Sequence, residues 1–193
     1  MGLLSRLAGV VPNYLWIAWW GLVSPRTAET APLLVLQGVI RDGDRVLLTV
    51  RADLRGWELP GGNPDPREDD QRAVRREILE ETGCEVTVVR HVGDYVRTGF
   101  RPHTARVFEC RVTGGALRPS PETPHVAWFA HDRVPDTLFP WYRGPLADAF
   151  ADHPSPVERH EHQGPGAIWA GMKIDFRMRV SDDRAGFPDS PAP

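Results

Sequence analysis

The stretch from Glu68 to Thr82 contains neither glycine nor proline, whereas Pro60-Gly61-Gly62 lies just upstream and Gly83 directly follows. This punctuation predicts one helix entered from a glycine bend and stopped by a glycine in the C′ position. Acidic residues crowd its start, where the positive end of the helix dipole favours them. Val74 and Ile78, four apart, give it an apolar edge to bury. Its last two turns read "REILEETG", Arg76 to Gly83. At about 100° per residue, Glu77, Glu80 and Glu81 share a sector about 100° wide. Each like-charged pair at such spacing costs a few tenths of a kcal/mol. A solvated acidic face is one reading. The other is a cation site: Arg76 neutralises part of the charge, and a hard divalent ion that prefers oxygen suits the rest.

The surrounding segments read as strands. "LLVLQGVI" from Leu33 and "RVLLTV" from Arg45 to Val50 flank the turn Asp42-Gly43, a hairpin signal. A short extended piece at Trp57–Leu59 precedes the glycine bend. Strand-like runs resume at Glu85–Val96, Thr104–Val112 and His125–Ala130, and Trp141–His153 reads as a second helix. This order predicts an α/β fold with helices on the faces of a mixed sheet. Beyond Pro154 the chain is polar and rich in glycine and proline. Alternation of Ile174, Phe176, Met178 and Val180 then predicts a late strand over Lys173–Val180, followed by a tail of disordered composition. The domain is expected over 32–153, with an N-terminal segment and linker at 1–31 and an extension at 154–193.

The net charge of −3 gives no electrostatic footprint for nucleic acid. Cys84 and Cys110 form no disulfide framework and read as reduced, half-buried thiols of a cytoplasmic protein. Val10 to Val23 is apolar and holds three of the seven tryptophans, but Pro12, Asn13 and Gly21 interrupt it. It falls short of the roughly 20 apolar residues a spanning helix needs. Two readings stand for it. It is a helix packed on the domain or on a second copy in a homodimer, or an anchor for peripheral contact at a membrane surface.

From Gly62 onward the chain reads G-x5-E-x7-R-E-U-x-E-E-x-G-U, where U is a bulky apolar residue and Cys84 takes the last place. Seven identities in register arise by accident on the order of once in a million such chains. The pattern resembles the Nudix box of the Nudix hydrolase family, and the likeness covers roughly 33–151. It implies an α/β/α sandwich around a central mixed sheet, here with an added N-terminal apolar helix and a C-terminal extension. The implied activity is hydrolysis of a pyrophosphate bond in a nucleoside diphosphate linked to another group, with Mg2+ or Mn2+ as the cofactor. Nucleotide sugars such as ADP-ribose and nucleoside triphosphates are the substrate classes in view. The alternatives are a catalytically silent, nucleotide-sensing module and a membrane-associated hydrolase of lipid-linked pyrophosphates. Members that lose catalysis usually lose box glutamates, and this chain keeps them.

Residue by residue, the resemblance implies that Glu80 and Glu81 are the principal metal ligands. Glu77 is a further ligand or a base for the attacking water. Arg76 orients the glutamates, the carbonyl of Gly62 or Gly61 completes the set, and Glu68 holds the loop. A base outside the box is common in the family, and Glu122, six residues before Trp128, is the candidate. Arg51 is a candidate phosphate contact. Trp57 and Phe100 are candidate base-stacking residues, with core packing as the other reading of Trp57. Arg97, Arg101 and His103 form a candidate phosphate-facing set. His160 and His162 have ligand spacing, yet read rather as an exposed polar loop. The proline and tyrosine markers of nucleotide-sugar and dinucleoside polyphosphate members are not matched: Pro102 lies eighteen residues past Cys84, and Phe100 stands near the tyrosine position.

Overall fold

The computed structural model describes residues 12, 14, 15, 19, 33–151 and 153–180. Strands β1 (Leu33–Asp42) and β2 (Arg45–Val50) form the expected hairpin, with Ile40 opposite Leu47. Past that point β1 and β2 separate. The wedge between them is filled by β3 (Trp57–Glu58), which pairs with β2, and β4 (Gly61–Gly62), which pairs with β1. The glycine bend is thus built into the sheet. Helix α1 (Asp70–Thr82) follows, then β5 (Cys84–Gly99), β6 (His103–Gly115) and β7 (His125–Ala130). A short helix, α2 (Arg143–Phe150), precedes β8 (Val157–Gln163) and α3 (Pro165–Val180). The sheet is mixed: β6 runs parallel to β1 and antiparallel to β5, β8 runs parallel to β5, and β7 lies antiparallel along β2.

Alternation along the strands gives each face its own core. Leu36, Ile40, Leu47 and Phe108 pack beneath Val74 and Ile78 of α1. Val39, Val46, Leu48 and Val107 face the other way, under Leu146 and Ala149 of α2. The α/β/α sandwich is therefore present. Both ends of α1 are capped, the C-terminal one by the glycine its sequence indicates. The Asp69 carboxylate accepts from the Gln71 and Arg72 amides at 3.1 and 3.2 Å, and Gly83, with φ 74°, donates to the Leu79 carbonyl at 2.9 Å. Arg106 of β6 ties the start of the helix to the sheet, bonding Asp70 at 2.6 Å and Asp94 in a fork at 2.8 and 2.9 Å.

Two expectations for the extension are corrected. Lys173–Val180 is helical, not a strand. Ile174 and Met178 pack on the core while Phe176 and Val180 are exposed, so the apolar residues alternate because they occupy two faces of one helix. The polar stretch holding His160 and His162 is not a loop but edge strand β8, joined to β5 through its backbone. His160 meets Glu158 at 2.9 Å and His162 meets Thr98 at 3.2 Å. Charged side chains are common on such edges. Cys84 and Cys110 are free and fully buried, not half-buried, and burial pushes the Cys110 thiol up to about 12. The expected N-terminal helix falls mostly, and the expected disordered tail wholly, outside the described residues; Pro12, Tyr14, Leu15 and Trp19 are helical.

Candidate active site

The bend at Gly61-Gly62 lies against the acidic side of α1. Gly61 has φ 150°, and a Cβ there would meet the Leu36 carbonyl oxygen at 2.0 Å. Its amide instead donates to Glu81 Oε2 at 2.9 Å. At Gly62 a Cβ would fall 2.5 Å from the Glu77 carboxyl group. Both glycines are therefore dictated by close approach to neighbouring atoms. An alanine at Gly62 is expected to displace Glu77 and lower kcat/KM by about 10–100-fold, with the melting temperature nearly unchanged, since only a side-chain tip must yield. Steady-state kinetics beside a thermal melt checks this.

Arg76 is the electrostatic hub of the box. Its fork goes to Glu68, at 3.2 Å from Nε and 2.9 Å from Nη2. Nη1 reaches Glu77 at 3.0 Å and Glu80 at 3.3 Å, and Nη2 also reaches the Asn63 carbonyl at 3.3 Å. Glu68 in turn accepts from the Asp65 amide at 3.1 Å, which closes the 63–68 loop onto the helix.

Glu81 and Glu77 are less well compensated. Burial, with Glu58 nearby, pushes the Glu81 carboxyl up to about 8, although Gly61 and Arg51 pull the other way. Burial also raises Glu77, assisted by Glu80 and Glu122 and opposed by Arg76. Glu58 was missed in the sequence. It is only 8% exposed, its carboxyl is pushed up to about 7 by burial, and the Tyr142 hydroxyl donates to it at 3.1 Å. The one available signal was a charged residue between Trp57 and Leu59 directly before the bend.

The neighbouring loops bring in two further candidates. The Glu122 carbonyl accepts from the Ala52 amide at 2.8 Å, and the buried Thr123 hydroxyl donates to the Glu81 carbonyl at 2.6 Å. The segment carrying Glu122 is thus pinned between the end of β2 and α1, with the Glu122 side chain exposed and its charge felt at Glu77. Arg51 forks onto Asp53 at 2.8 and 2.7 Å, and its charge acts on both Glu58 and Glu81.

Other candidates separate from this group. Trp57 is 1% exposed and packs edge-on against Phe129, so a stacking role is corrected to core packing. Arg97 is buried, donating to the Trp141 carbonyl at 2.6 Å and to Glu161 at 3.0 Å. His103 lies beside it, its imidazole pushed down to about 4 by burial. Neither is a free phosphate contact. Phe100 and Arg101 occupy the bend between β5 and β6. His103 at its end pairs with Leu33, three positions along β1 from Leu36, the partner of Gly62. That spacing is about 10 Å along the strand.

The donor set fits a hard divalent cation. It is built from carboxylate oxygens and a glycine bend; of its positive neighbours, Arg51 is forked onto Asp53 and Arg76 is shared among Glu68, Glu77 and Glu80. One buried oxygen without a partner lies on the same sheet face as the site: Thr49 Oγ1, on the strand partner of Glu58. Among the described residues no three acidic, histidine or cysteine side chains are already gathered as ligands. Arg76 holds Glu77 and Glu80, and Gly61 holds Glu81.

Comparison with known proteins agrees with this geometry. The NUDIX domain family matches residues 34–149. A "MutT-like protein" of Streptomyces ambofaciens is 38% identical over 150 residues, covering 76% of this chain and 96% of the relative. A "Putative 8-oxo-dGTP diphosphatase" of Bacillus subtilis (strain 168) is 34% identical over 102 residues, covering 53% of this chain and 68% of the relative. Among solved structures, an ADP-ribose pyrophosphatase from Streptococcus suis 89-1591 superposes with a TM-score of 0.55 at 26% identity, over 67% of this chain and 99% of the other. The chain belongs to the NUDIX domain family and is a pyrophosphohydrolase.

Proposed function

We propose that this pyrophosphohydrolase acts on nucleoside triphosphates and depends on a divalent cation held by Glu77, Glu80, Glu81 and the Gly62 carbonyl. One observation carries the reading: the Gly61-Gly62 bend packs on the acidic side of α1, with the Gly61 amide 2.9 Å from Glu81 and no room for a Cβ at Gly62 beside Glu77, and burial raises Glu58, Glu77 and Glu81 alike. When bound, Mg2+ or Mn2+ would screen phosphate charge and lower the pKa of a coordinated water. Around it, Arg76 holds Glu68, Glu77 and Glu80 in fixed relation, so the carboxylates need little reordering. In this reading Glu122, exposed and with its charge felt at Glu77, takes the proton of an attacking water, and Arg51 exchanges Asp53 for a substrate phosphate. Phe100 and Arg101 stand at the nearer hairpin bend, where a base or ribose would lie. The name carried by the Bacillus subtilis relative favours triphosphates, and that of the Streptococcus suis structure keeps nucleotide sugars as the second class.

The test is phosphate and pyrophosphate release from 8-oxo-dGTP, dGTP, CTP and ADP-ribose, with Mg2+ and then with EDTA. Turnover of a triphosphate that EDTA abolishes supports the proposal. Preference for ADP-ribose moves the substrate class, and release unaffected by EDTA removes the cation. No release from any compound would favour a silent nucleotide-sensing module.

Cation binding should also depend on pH with a definite sign. Glu81 at about 8 holds a proton at pH 6.5 that a cation must displace, and Glu58 beside it at about 7 is then also largely neutral. Apparent Mg2+ affinity is therefore expected to rise about tenfold or more from pH 6.5 to 8.5, read as a growing stabilisation in thermal melts. A shift independent of pH would contradict it.

A further inference from the structure

Helix α3 has two unlike faces. Inward, Gly171 and Asp175 are buried, and Ile174 and Met178 pack on the core. Outward, Trp169, Lys173, Phe176, Arg177 and Val180 are exposed and fall within about 100° of arc. Trp169 is 61% exposed and Phe176 47%, large values for aromatic side chains. This outer face holds two cations and no acid. An open cleft of about 650 Å3 beside it is lined by Trp169, Met172, Phe176 and, from the N-terminal segment, Tyr14. Near Tyr14 in the chain, Leu15 and Trp19 are also exposed.

We propose that the outer face of α3 docks the protein on an anionic lipid membrane, with Trp169 and Phe176 in the headgroup layer and Lys173 and Arg177 against lipid phosphates. Tryptophan is favoured at that depth, and lysine and arginine beside it gain by approaching anionic headgroups. No helix among the described residues is long and apolar enough to cross a membrane, and the contact proposed for α3 is a peripheral one. A second copy of the chain fits the face less well. A two-fold contact centred on it would bring Lys173 and Arg177 close to their own copies, with no acid on the face to pair them. This inference stands apart from the hydrolase chemistry, because none of the five residues belongs to the active site.

The experiment is co-sedimentation of the full chain with vesicles of phosphatidylcholine alone and of phosphatidylcholine with one quarter phosphatidylglycerol. Wild type is expected to pellet with the anionic vesicles and to be released by high salt. Lys173→Glu/Arg177→Glu and Trp169→Ser/Phe176→Ser should each lower pelleting by about tenfold, with triphosphate turnover and melting temperature retained. Because residues 10–23 are intact in both variants, equal pelleting of variant and wild type would overturn the proposal. So would wild type that stays in solution with every vesicle, or a dimer in sedimentation velocity that Trp169→Ser/Phe176→Ser dissociates.

Discussion

Glu81→Gln is expected to lower kcat by at least about a thousandfold while raising the melting temperature of the cation-free protein. The two effects share one cause. Burial and the nearby Glu58 make an ionised Glu81 costly to the fold, and the proposed cation is what makes that charge useful. The carboxyl is raised from its usual 4.5 to about 8, so its favourable contribution is fully present below pH 4.5 and is lost as pH rises through 8. Glutamine keeps an oxygen for the Gly61 amide and never ionises. In EDTA at pH 8.5 the variant should melt about 2–6 °C above wild type, and at pH 5 the difference should vanish. Stabilisation by Mg2+ should be lost as well. A variant that melts lower than wild type at pH 8.5, or that keeps turnover within tenfold, contradicts the account. Losses of this size follow when a group bound to a catalytic ion is removed.

Asp175→Ala should cost about 3–5 kcal/mol of stability, the range for removing one partner of a buried charge pair. Asp175 is 0% exposed. It accepts from the Tyr14 hydroxyl at 2.5 Å, from the Arg55 amide at 2.7 Å, and from Arg179 Nε at 2.8 and 2.9 Å. Arg179 also donates to the Asp53 carbonyl at 2.8 Å, and the Asp53 carboxylate holds Arg51. The extension thus clamps the loop that presents Arg51 to the acidic site. A fall in melting temperature of about 10 °C is expected, with a raised KM for triphosphate from the freed loop. Asp175→Asn, which keeps the acceptor oxygen without the charge, should fall between. Melting temperatures unchanged in both variants would show that the clamp contributes nothing.

The parts legible in the sequence are those governed by local rules. The glycine punctuation of α1, its Gly83 cap and its Val74/Ile78 edge depend on neighbours within a few residues, and so does the Asp42-Gly43 hairpin. The box glutamates were visible for the same reason, since one helix turn brings them together. Glu58 was not visible, because its burial is completed by Tyr142, eighty-four residues later. Trp57 was ambiguous until Phe129 of β7 covered its ring. Arg97 looked like an exposed cation because its partners, Glu161 and the Trp141 carbonyl, come from the region after the box. β8 has no apolar alternation to betray it, since an edge strand needs only backbone partners on one side. In α3, a helix that carries apolar residues on both its buried and its exposed face imitated the period of a strand.

The most direct test of the central claim is a crystal soaked with Mn2+ and a nonhydrolysable nucleoside triphosphate, with the anomalous signal located. The account predicts a peak among the Glu77, Glu80 and Glu81 carboxylates and the Gly62 carbonyl, with the triphosphate against it. A nucleotide bound elsewhere, or glutamates still held by Arg76 and Gly61 with no peak between them, would contradict it.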